Sequence, residues 1–209
     1  YGGFINPDIV PVEKNGKVVD YIINYPTDFV QQHLDYGKKY SFIKESHTSP
    51  THLVVDMLYD FIDGSLACGH SEEAVEAVIE YINAHPDQEV VYITDCHPEN
   101  HSSFVEFGGI WPPHCIEGTR GGAIHESFYT KVENPANRPD PNRNIFRKGC
   151  KQDEEQYSGF EAVNTNGVAL KDYANKDVVV SGIATEYCVR NTAEEFLKSG
   201  RNVELLLSG

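Results

Sequence analysis

The stretch Asp177–Gly200, DVVVSGIATEYCVRNTAEEFLKSG, decides the fold. Its first part, Asp177–Ile183, is the clearest strand pattern in the chain, and a helical pattern from Thr185 to about Gly200 follows at once. Other short apolar runs occur at His52–Met57, Val90–Asp95, Ile145–Lys148 and Val203–Leu207. Almost continuously apolar strands separated by helices are typical of a parallel sheet covered on both faces. We therefore predict an α/β fold with right-handed crossovers.

Two segments between these strands have their own patterns. Ser71 is the expected N-cap of a helix, because Glu72 and Glu73 then occupy its first turn. Apolar residues recur on one face of that helix, at Ala74, Val75, Val78, Ile79 and Ile82. Residues 116–144 are rich in Gly, Asn and Pro and are predicted to form a long loop, which in a compact domain is usually functional or mobile.

The first 50 residues do not follow the strand–helix alternation. We predict an N-terminal extension at residues 1–50 and one main domain at residues 51–209. The pair Asn15-Gly16 predicts a β-hairpin between two apolar stretches, Asp8–Glu13 and Lys17–Ile23. A short helix capped by Thr27 is expected next, ending near Gly37.

Composition excludes several classes of partner. The chain has 17 Lys+Arg against 32 Asp+Glu, a formal charge of −15, which disfavours nucleic acids and anionic membranes. No apolar run approaches the roughly 18 residues of a membrane span, and no signal peptide is recognisable. The cysteines form no CxxC pair and suit a reducing cytoplasm, the expected location. They are Cys68, Cys96, Cys115, Cys150 and Cys188.

Polar residues stand at the ends of several predicted strands. The carboxyl ends of parallel strands meet at one edge of the sheet, where ligands bind. Cys188 is the best candidate nucleophile, because a helix capped by Thr185 would place it in the first turn, where the thiol pKa is lowered and free N–H groups can hold an oxyanion. Asp56 is a candidate base, and Lys148 a cation that holds both groups. Read singly, these residues fit a packing cysteine, a strand-end acceptor and a surface charge.

A second constellation predicts a metal site. Asp95 and His97 alternate along an extended chain, so both side chains can face one ion, and His114 can complete a set of three with open positions. Glu106 is a candidate additional oxygen ligand, and His101 is nearby in sequence. Each histidine taken alone is more often a hydrogen-bonded or surface residue than a ligand.

Three rival motifs are excluded. His97-Pro98-Glu99 matches half of the zinc deaminase signature, but its P-C-x-x-C half is absent from the sequence. Neither G-x-G-x-x-G nor G-x-x-x-x-G-K-[ST] occurs, so dinucleotide and P-loop sites are not supported.

These motifs, in this order, resemble a known family over about residues 50–209. The matching segments are Val55-Asp56-Met57, Asp60-Phe61, Asp95-x-His97-Pro98, Trp111-Pro-x-His114-Cys115, Lys148-Gly149 and Gly182–Val189. They resemble the nicotinamidase/pyrazinamidase family of isochorismatase-like cysteine hydrolases. The resemblance implies a three-layer sandwich in which helices flank a mainly parallel, Rossmann-like sheet.

The resemblance also implies residue roles. Asp56, Lys148 and Cys188 would form the catalytic triad. Asp95, His97 and His114 would bind one divalent metal ion, zinc first and iron or manganese otherwise, with Glu106 as a fourth ligand of some members. The N–H groups of Ala184 and Cys188 would form an oxyanion hole beside a cis peptide at Ile183-Ala184. The substrate pocket would be lined by Phe61, Trp111, Tyr187 and Tyr157.

The implied activity is hydrolysis of nicotinamide, and of pyrazinamide, to the acid and ammonia through a cysteine thioester. A small amide is thus the expected partner, with a homo-oligomer as the alternative to a monomer. Two further functions stay open: an amidohydrolase of the N-carbamoylsarcosine type or a relative acting on an isochorismate-like ether, and a non-enzymatic thiol redox or binding protein. Leu58-Tyr59 replaces the family's usual Gln-Asn and Cys96 its usual Trp, which leaves substrate preference open.

Overall fold

The computed structural model describes residues 8–14, 17–24 and 49–209. The chain divides into two compact units, Tyr1–His47 and Thr48–Gly209, and each is described by itself. The predicted domain boundary after residue 50 stays a prediction.

The first unit contains an antiparallel pair of strands. Strand β1 (Asp8–Lys14) pairs with β2 (Lys17–Asn24), and the register runs from Asp8 opposite Asn24 to Lys14 opposite Lys17, with a shift at Val12/Glu13. The hairpin predicted on either side of Asn15-Gly16 is therefore confirmed. The short helix predicted near residues 27–37 lies outside the described residues.

The second unit is built on a five-stranded sheet whose paired strands are all parallel. Its strands are β3 (Thr51–Val55), β4 (Glu89–Asp95), β5 (Ile145–Lys148), β6 (Asp177–Gly182) and β7 (Asn202–Leu205). The order is β5-β4-β3-β6-β7, so the chain adds strands on one side of β3 and then on the other. Such a reversal opens a crevice beyond the strand ends on either side of β3. The predicted α/β class and parallel sheet are confirmed.

Helices and turns connect these strands. The helices are α1 (Tyr59–Ile62), α2 (Ser71–Ala84), α3 (Ser127–Thr130), α4 (Leu170–Tyr173) and α5 (Arg190–Lys198). Two 3₁₀ turns lie at Val105–Phe107 and Pro135–Asn137, and a π-helical turn at Thr185–Val189 precedes α5. None of the helices in the described ranges is long and apolar enough to cross a membrane.

Alternating residues of β3 point to opposite faces of the sheet, which produces three layers. Val54 joins the core that contains the apolar face of α2, whereas Leu53 and Val55 join the core that contains α4 and α5. Phe196 of α5 is fully buried in that second core. The sheet is therefore covered on both faces, as predicted.

Local details differ from the sequence prediction in three places. Ser71 is the first residue of α2 rather than its N-cap; His70 precedes it, and the Ser71 hydroxyl donates to the carbonyl of Ile62 at 3.0 Å. Thr185 is likewise inside a π-helical turn that begins after Ala184, so it is not a cap. The 116–144 segment, predicted to be a loop, includes α3 and one 3₁₀ turn. Ser71 does not cap the helix because its hydroxyl bonds the carbonyl of Ile62, nine residues earlier.

Candidate active site and metal centre

Four polar side chains predicted from the strand ends meet at one edge of the sheet. Asp56 follows β3, Asp95 ends β4 and Lys148 ends β5, where Asp95 and Lys148 are direct register partners. Cys188 lies in the turn after β6. The Asp56 backbone has a φ of 48°, in the left-handed region, and its carboxylate Oδ1 accepts from the backbone N–H of Asp95 at 2.9 Å. The turn after β3 thus directs the Asp56 carboxylate across the ends of neighbouring strands.

Lys148 is the centre of this cluster. Its side chain is fully buried, and Nζ lies 2.9 Å from Asp56 Oδ2, 2.5 Å from Asp95 Oδ1 and 3.5 Å from Cys188 Sγ. Burial disfavours the charged amine, but the two carboxylates outweigh burial and hold the pKa of Lys148 well above its ordinary value. The charged Lys148 ammonium therefore lies between the Asp56 carboxylate and the Cys188 sulfur.

Asp56 and Cys188 are placed for proton transfer. An Asp56 oxygen, an Asp95 oxygen and Cys188 Sγ all lie within 4.8 Å of one another. Burial raises the pKa of Asp56 to about 6, although the charge of Lys148 opposes this. Burial also raises the pKa of Cys188, despite the same lysine. The resting pair is consequently a neutral thiol beside a basic carboxylate, which can accept the thiol proton when a substrate arrives.

Three predicted metal ligands converge beside this pair. Ligand atoms of Asp95, His97 and His114, all buried, lie within 4.8 Å of one another. His97 Nδ1 is 2.8 Å from the carbonyl of Gly149, and His114 Nδ1 is 2.8 Å from that of Pro112. Such carbonyl partners fix the ring tautomer and leave Nε2 as the ligand atom.

The donor set fits a divalent metal ion. Within the described part of the chain, the buried Nε2 of His97 has no hydrogen-bond partner, and it lies 3.6 Å from Asp95 Oδ2. A buried nitrogen without a partner is costly unless a ligand satisfies it. Two imidazoles and a carboxylate, with positions left open, form the donor set of a catalytic transition-metal site.

Burial and neighbouring charges act differently on the two imidazoles. Burial disfavours the charged form of His97, but Asp95 outweighs burial and raises its pKa. Burial lowers the pKa of His114. For Asp95, Lys148 and His97 outweigh burial and hold the pKa below its ordinary value. Asp95 is therefore a carboxylate that bridges the catalytic cluster and the metal cluster.

Two other candidates from the sequence stand apart from this set. Glu106 is exposed on the Val105–Phe107 turn and is not among the three converging residues, so its role as a ligand stays a prediction. His101 stacks on His97 at 4.1 Å between ring centroids. Both of its nitrogens have protein partners, Ser103 Oγ at 2.7 Å and the Glu154 carbonyl at 3.1 Å. His101 therefore supports the ring of His97.

The four aromatic residues predicted for the substrate pocket line one cavity of about 120 Å³, together with Cys188, Asp95 and His114. They are Phe61, Trp111, Tyr157 and Tyr187. Trp111 Nε1 donates to the Tyr157 hydroxyl at 3.2 Å, and the Trp111 and Tyr187 rings meet edge to face at 5.4 Å. The cavity is thus mainly apolar, with the Cys188 sulfur and two of the metal ligands at its wall.

The departures from the family pattern lie outside this cavity wall. Leu58 is buried in the core. The guanidinium carbon of Arg120 lies over the Tyr59 ring, 3.8 Å from the ring centre. Cys96 lines a different cavity, with Thr94 and Glu117. The peptide bond Ile183-Ala184, which precedes the turn containing Cys188, is cis as expected.

The sequence reasoning missed the residues that hold the site in place. Asp60 accepts from the backbone N–H of Cys115 at 2.7 Å and so ties α1 to the segment that carries His114. Gly149 has a φ of +64°, and a Cβ there would lie 2.5 Å from the His97 ring. Asp60 and Gly149 occur in two of the matching segments, Asp60-Phe61 and Lys148-Gly149. Roles were predicted there only for Phe61 and Lys148. Glu155, Leu66 and Cys68 also line the cavity and had no sequence signal.

Comparison with known proteins agrees with this geometry. The isochorismatase domain family matches residues 50–206. A nicotinamidase/pyrazinamidase of Mycobacterium tuberculosis is 34% identical over 164 residues, which cover 74% of this chain and 82% of that protein. A pyrazinamidase of Pyrococcus horikoshii, solved in complex with zinc, is 37% identical with a TM-score of 0.63, over 76% of this chain and 83% of that one. The yeast nicotinamidase Pnc1p, solved with the inhibitor nicotinaldehyde, is 27% identical with a TM-score of 0.64, over 75% of this chain and 85% of that one. The chain belongs to the isochorismatase family.

Proposed function

We propose that this protein is a nicotinamidase, which hydrolyses nicotinamide, and also pyrazinamide, to the carboxylic acid and ammonia in NAD salvage. The observation that carries the proposal is the position of Cys188, which lies beside Asp56 and Lys148 and at the wall of an aromatic cavity shared with Asp95 and His114. A cysteine, a base and a cation next to a metal-ligand set form the machinery of a metal-containing amidohydrolase.

In the first step, Asp56 accepts the proton of the Cys188 thiol, and the sulfur attacks the amide carbon. Lys148, 3.5 Å from the sulfur, stabilises the thiolate as it forms. The backbone N–H groups of Ala184 and Cys188 are the proposed donors to the oxyanion. Removal of one such donor typically raises the barrier by about 3–4 kcal/mol. The N–C bond then breaks as Asp56 returns the proton to the leaving ammonia.

In the second step, Asp56 removes a proton from water as the water oxygen attacks the thioester carbon. The C–S bond then breaks, the acid is released, and Asp56 returns the proton to the Cys188 sulfur. The raised pKa of Asp56 suits both tasks, because a group that titrates near neutrality can accept and then donate a proton. The aromatic residues Phe61, Trp111, Tyr157 and Tyr187 would hold the ring and exclude bulk water from the thioester.

Asp95, His97 and His114 are the proposed ligands of one divalent ion, with zinc as the first candidate, iron or manganese as alternatives, and Glu106 as a proposed fourth ligand. When bound, the ion would supply a Lewis acid that anchors the pyridine nitrogen and orients the carboxamide. In this proposal the protein's own side chains move the protons.

The test is ammonia release from nicotinamide, pyrazinamide and N-carbamoylsarcosine by the metal-loaded protein. We expect turnover of the two aromatic amides and loss of at least about 10⁴-fold in Cys188→Ala. Cys150→Ala is the matched control, because that thiol is exposed and outside the cavity wall. Turnover that survives in Cys188→Ala would contradict the mechanism, and a preference for N-carbamoylsarcosine would contradict the substrate. No turnover of any amide, with Cys188 still alkylated by iodoacetamide, would favour a non-enzymatic redox or binding protein that uses an exposed thiol. Oligomeric state and cytoplasmic location stay predictions.

A further inference from the structure

The residue after His114 links the backbones of both histidine ligands of the candidate metal centre. Cys115 is fully buried, and its carbonyl accepts from the backbone N–H of His97 at 3.0 Å. The carbonyl of His97 in turn accepts from the backbone N–H of Glu117 at 2.9 Å. The backbone of one ligand, His97, is therefore attached to the segment that directly follows the other ligand, His114.

The backbone of Cys115 has a conformation that needs support. Its φ is 48°, in the left-handed region, which residues other than glycine rarely adopt. Such a conformation is costly and persists only where surrounding contacts hold it. One of these contacts is with Asp60, whose carboxylate Oδ2 accepts from the Cys115 N–H at 2.7 Å. That N–H belongs to the peptide group between His114 and Cys115, so the carboxylate bonds the backbone of a metal ligand directly.

Asp60 is itself fixed by three further hydrogen bonds. Its Oδ1 accepts from the backbone N–H of Ser65 at 3.2 Å, and its carbonyl accepts from the backbone N–H of Leu66 at 2.9 Å. Its own backbone N–H donates to the carbonyl of Gly121 at 3.0 Å. A Cβ at Gly121 would overlap the Asp60 carboxylate, so that glycine leaves just enough space for it. The carboxylate is therefore a fixed support for Cys115.

The imidazole rings of the two histidine ligands have other partners. Their Nδ1 atoms each lie 2.8 Å from a carbonyl oxygen, that of Gly149 or that of Pro112. These contacts set how each ring is rotated, but they do not fix the distance between the two backbone segments that carry the rings. That distance depends on the hydrogen bond from His97 to Cys115, and on the bond from Cys115 to Asp60. Partners that orient metal ligands affect metal affinity strongly.

We propose that Asp60 is a positioning residue of the metal centre. Its carboxylate holds the peptide group between His114 and Cys115, and the Cys115 carbonyl transmits this constraint to His97. The role rests on the ligand set of the proposed function, which is Asp95, His97 and His114. Asp60 is not one of these converging residues, so it acts on the ion only through the two histidines.

The first experiment measures zinc binding by competition with a chromophoric chelator. Asp60→Ala removes both carboxylate oxygens, and we expect zinc to bind about 10–100-fold more weakly. Asp60→Asn keeps one oxygen acceptor in nearly the same volume, so its loss of affinity should be smaller. Asp63→Ala is the matched control, because Asp63 follows the same helix α1 but is exposed and bonds Arg120 at 2.6 Å. An unchanged Kd in folded Asp60→Ala would overturn the proposal.

The second experiment separates positioning from a general loss of stability. Gly121→Ala places a Cβ where the Asp60 carboxylate lies, so by itself it should weaken zinc binding by about tenfold or more. In the Asp60→Ala background the atoms that this Cβ would overlap are gone. There, Gly121→Ala should change the Kd by less than about twofold. Equal effects of Gly121→Ala in the two backgrounds would show that the carboxylate is not the link, and would overturn the proposal.

The third experiment uses the full chain before zinc is added and follows amide hydrogen exchange by NMR. We expect the N–H groups of Cys115 and His97 to exchange about tenfold faster in Asp60→Ala than in the unsubstituted protein, and at unchanged rates in Asp63→Ala. Faster exchange at Cys115 alone would overturn the connection to His97. No readout uses amide hydrolysis. If the unsubstituted protein bound no zinc, the proposed ligand set would fail, and the exchange rates would still decide whether Asp60 holds the two backbones.

Discussion

Two buried polar clusters lie four residues apart in the chain, one within β3 and one just after it, and only the second is charged. His52, near the start of β3, is fully buried with Nε2 2.8 Å from Ser181 Oγ, and burial lowers its pKa to about 3. Asp56, just after the end of β3, is equally buried but lies 2.9 Å from the ammonium of Lys148.

The contrast shows which part of this fold contains buried charged side chains and which part contains only neutral ones. Within the sheet, a neutral imidazole bonded to one hydroxyl avoids the cost of burying an ion. At the carboxyl edge, carboxylates and an ammonium are retained because each satisfies the other and because the cavity opens beside them. The first cluster should therefore matter for stability alone, and the second for chemistry as well as stability. Four predictions test this division.

Replacing the central cation should have the largest effect. In Lys148→Met, Asp56 and Asp95 become buried carboxylates without their cation, so we expect kcat to fall by about 10³-fold. We also expect a loss of about 3–5 kcal/mol in the free energy of unfolding. Steady-state kinetics and urea denaturation measure the two effects. Lys151→Met is the matched control, since that lysine is exposed and bonds Glu154 at 2.6 Å. Wild-type turnover in Lys148→Met would contradict the catalytic role proposed for the second cluster.

Removing a metal ligand should come next. His114→Ala deletes one of three converging ligands, and we expect zinc affinity to fall by at least about 100-fold, with turnover falling as metal is lost. Metal content after dialysis and a chelator competition assay measure this. His125→Ala is the control, because the His125 ring packs at a tilt against Tyr59, with 4.9 Å between ring centroids, and His125 is not one of the converging ligands. Equal metal content in His114→Ala and the unsubstituted protein would argue against this ligand set.

The pH dependence of turnover should distinguish the two clusters. Asp56 must be ionised to accept the thiol proton, and its pKa is raised to about 6 by burial, so kcat/KM should fall as the pH drops through 6. Below that point the expected loss is about tenfold per pH unit. His52, with a pKa of about 3, stays neutral over this range and should contribute nothing. A flat profile between pH 7 and pH 5 would exclude Asp56 as the base.

Removing the partner of His52 should have the smallest effect on catalysis. Ser181→Ala leaves His52 Nε2 buried without its hydroxyl, which should cost about 1–3 kcal/mol of unfolding free energy while kcat/KM and its pH profile stay unchanged. Chemical denaturation and kinetics on the same sample measure both. Thr119→Ala, which removes an exposed hydroxyl, is the matched control and should change neither quantity. A large loss of kcat in folded Ser181→Ala would show that the clusters are coupled.

Much of the fold could be read from local patterns. The strands at Ile145–Lys148 and Asp177–Gly182 were predicted to within one residue, because apolar runs of this kind can be stable only inside a covered sheet. Ser71 was predicted wrongly because its hydroxyl bonds the carbonyl of Ile62, a contact that no local rule contains. Thr185 was also predicted wrongly, since the turn there is π-helical and begins after Ala184.

For the candidate site, the residue types were predictable and their relations were not. The sequence by itself determined that Asp56, Asp95 and Lys148 end parallel strands, because strand ends follow from local hydrophobic periodicity. Only the tertiary structure decided that Lys148 bonds both carboxylates and that His97 Nε2 is buried without a hydrogen-bond partner. Only it brought the backbone N–H of Cys96 to the carbonyl of Lys148. The physical reason is that these contacts join residues about 40 to 90 positions apart, whose distances are set by strand order and register and not by the chain between them.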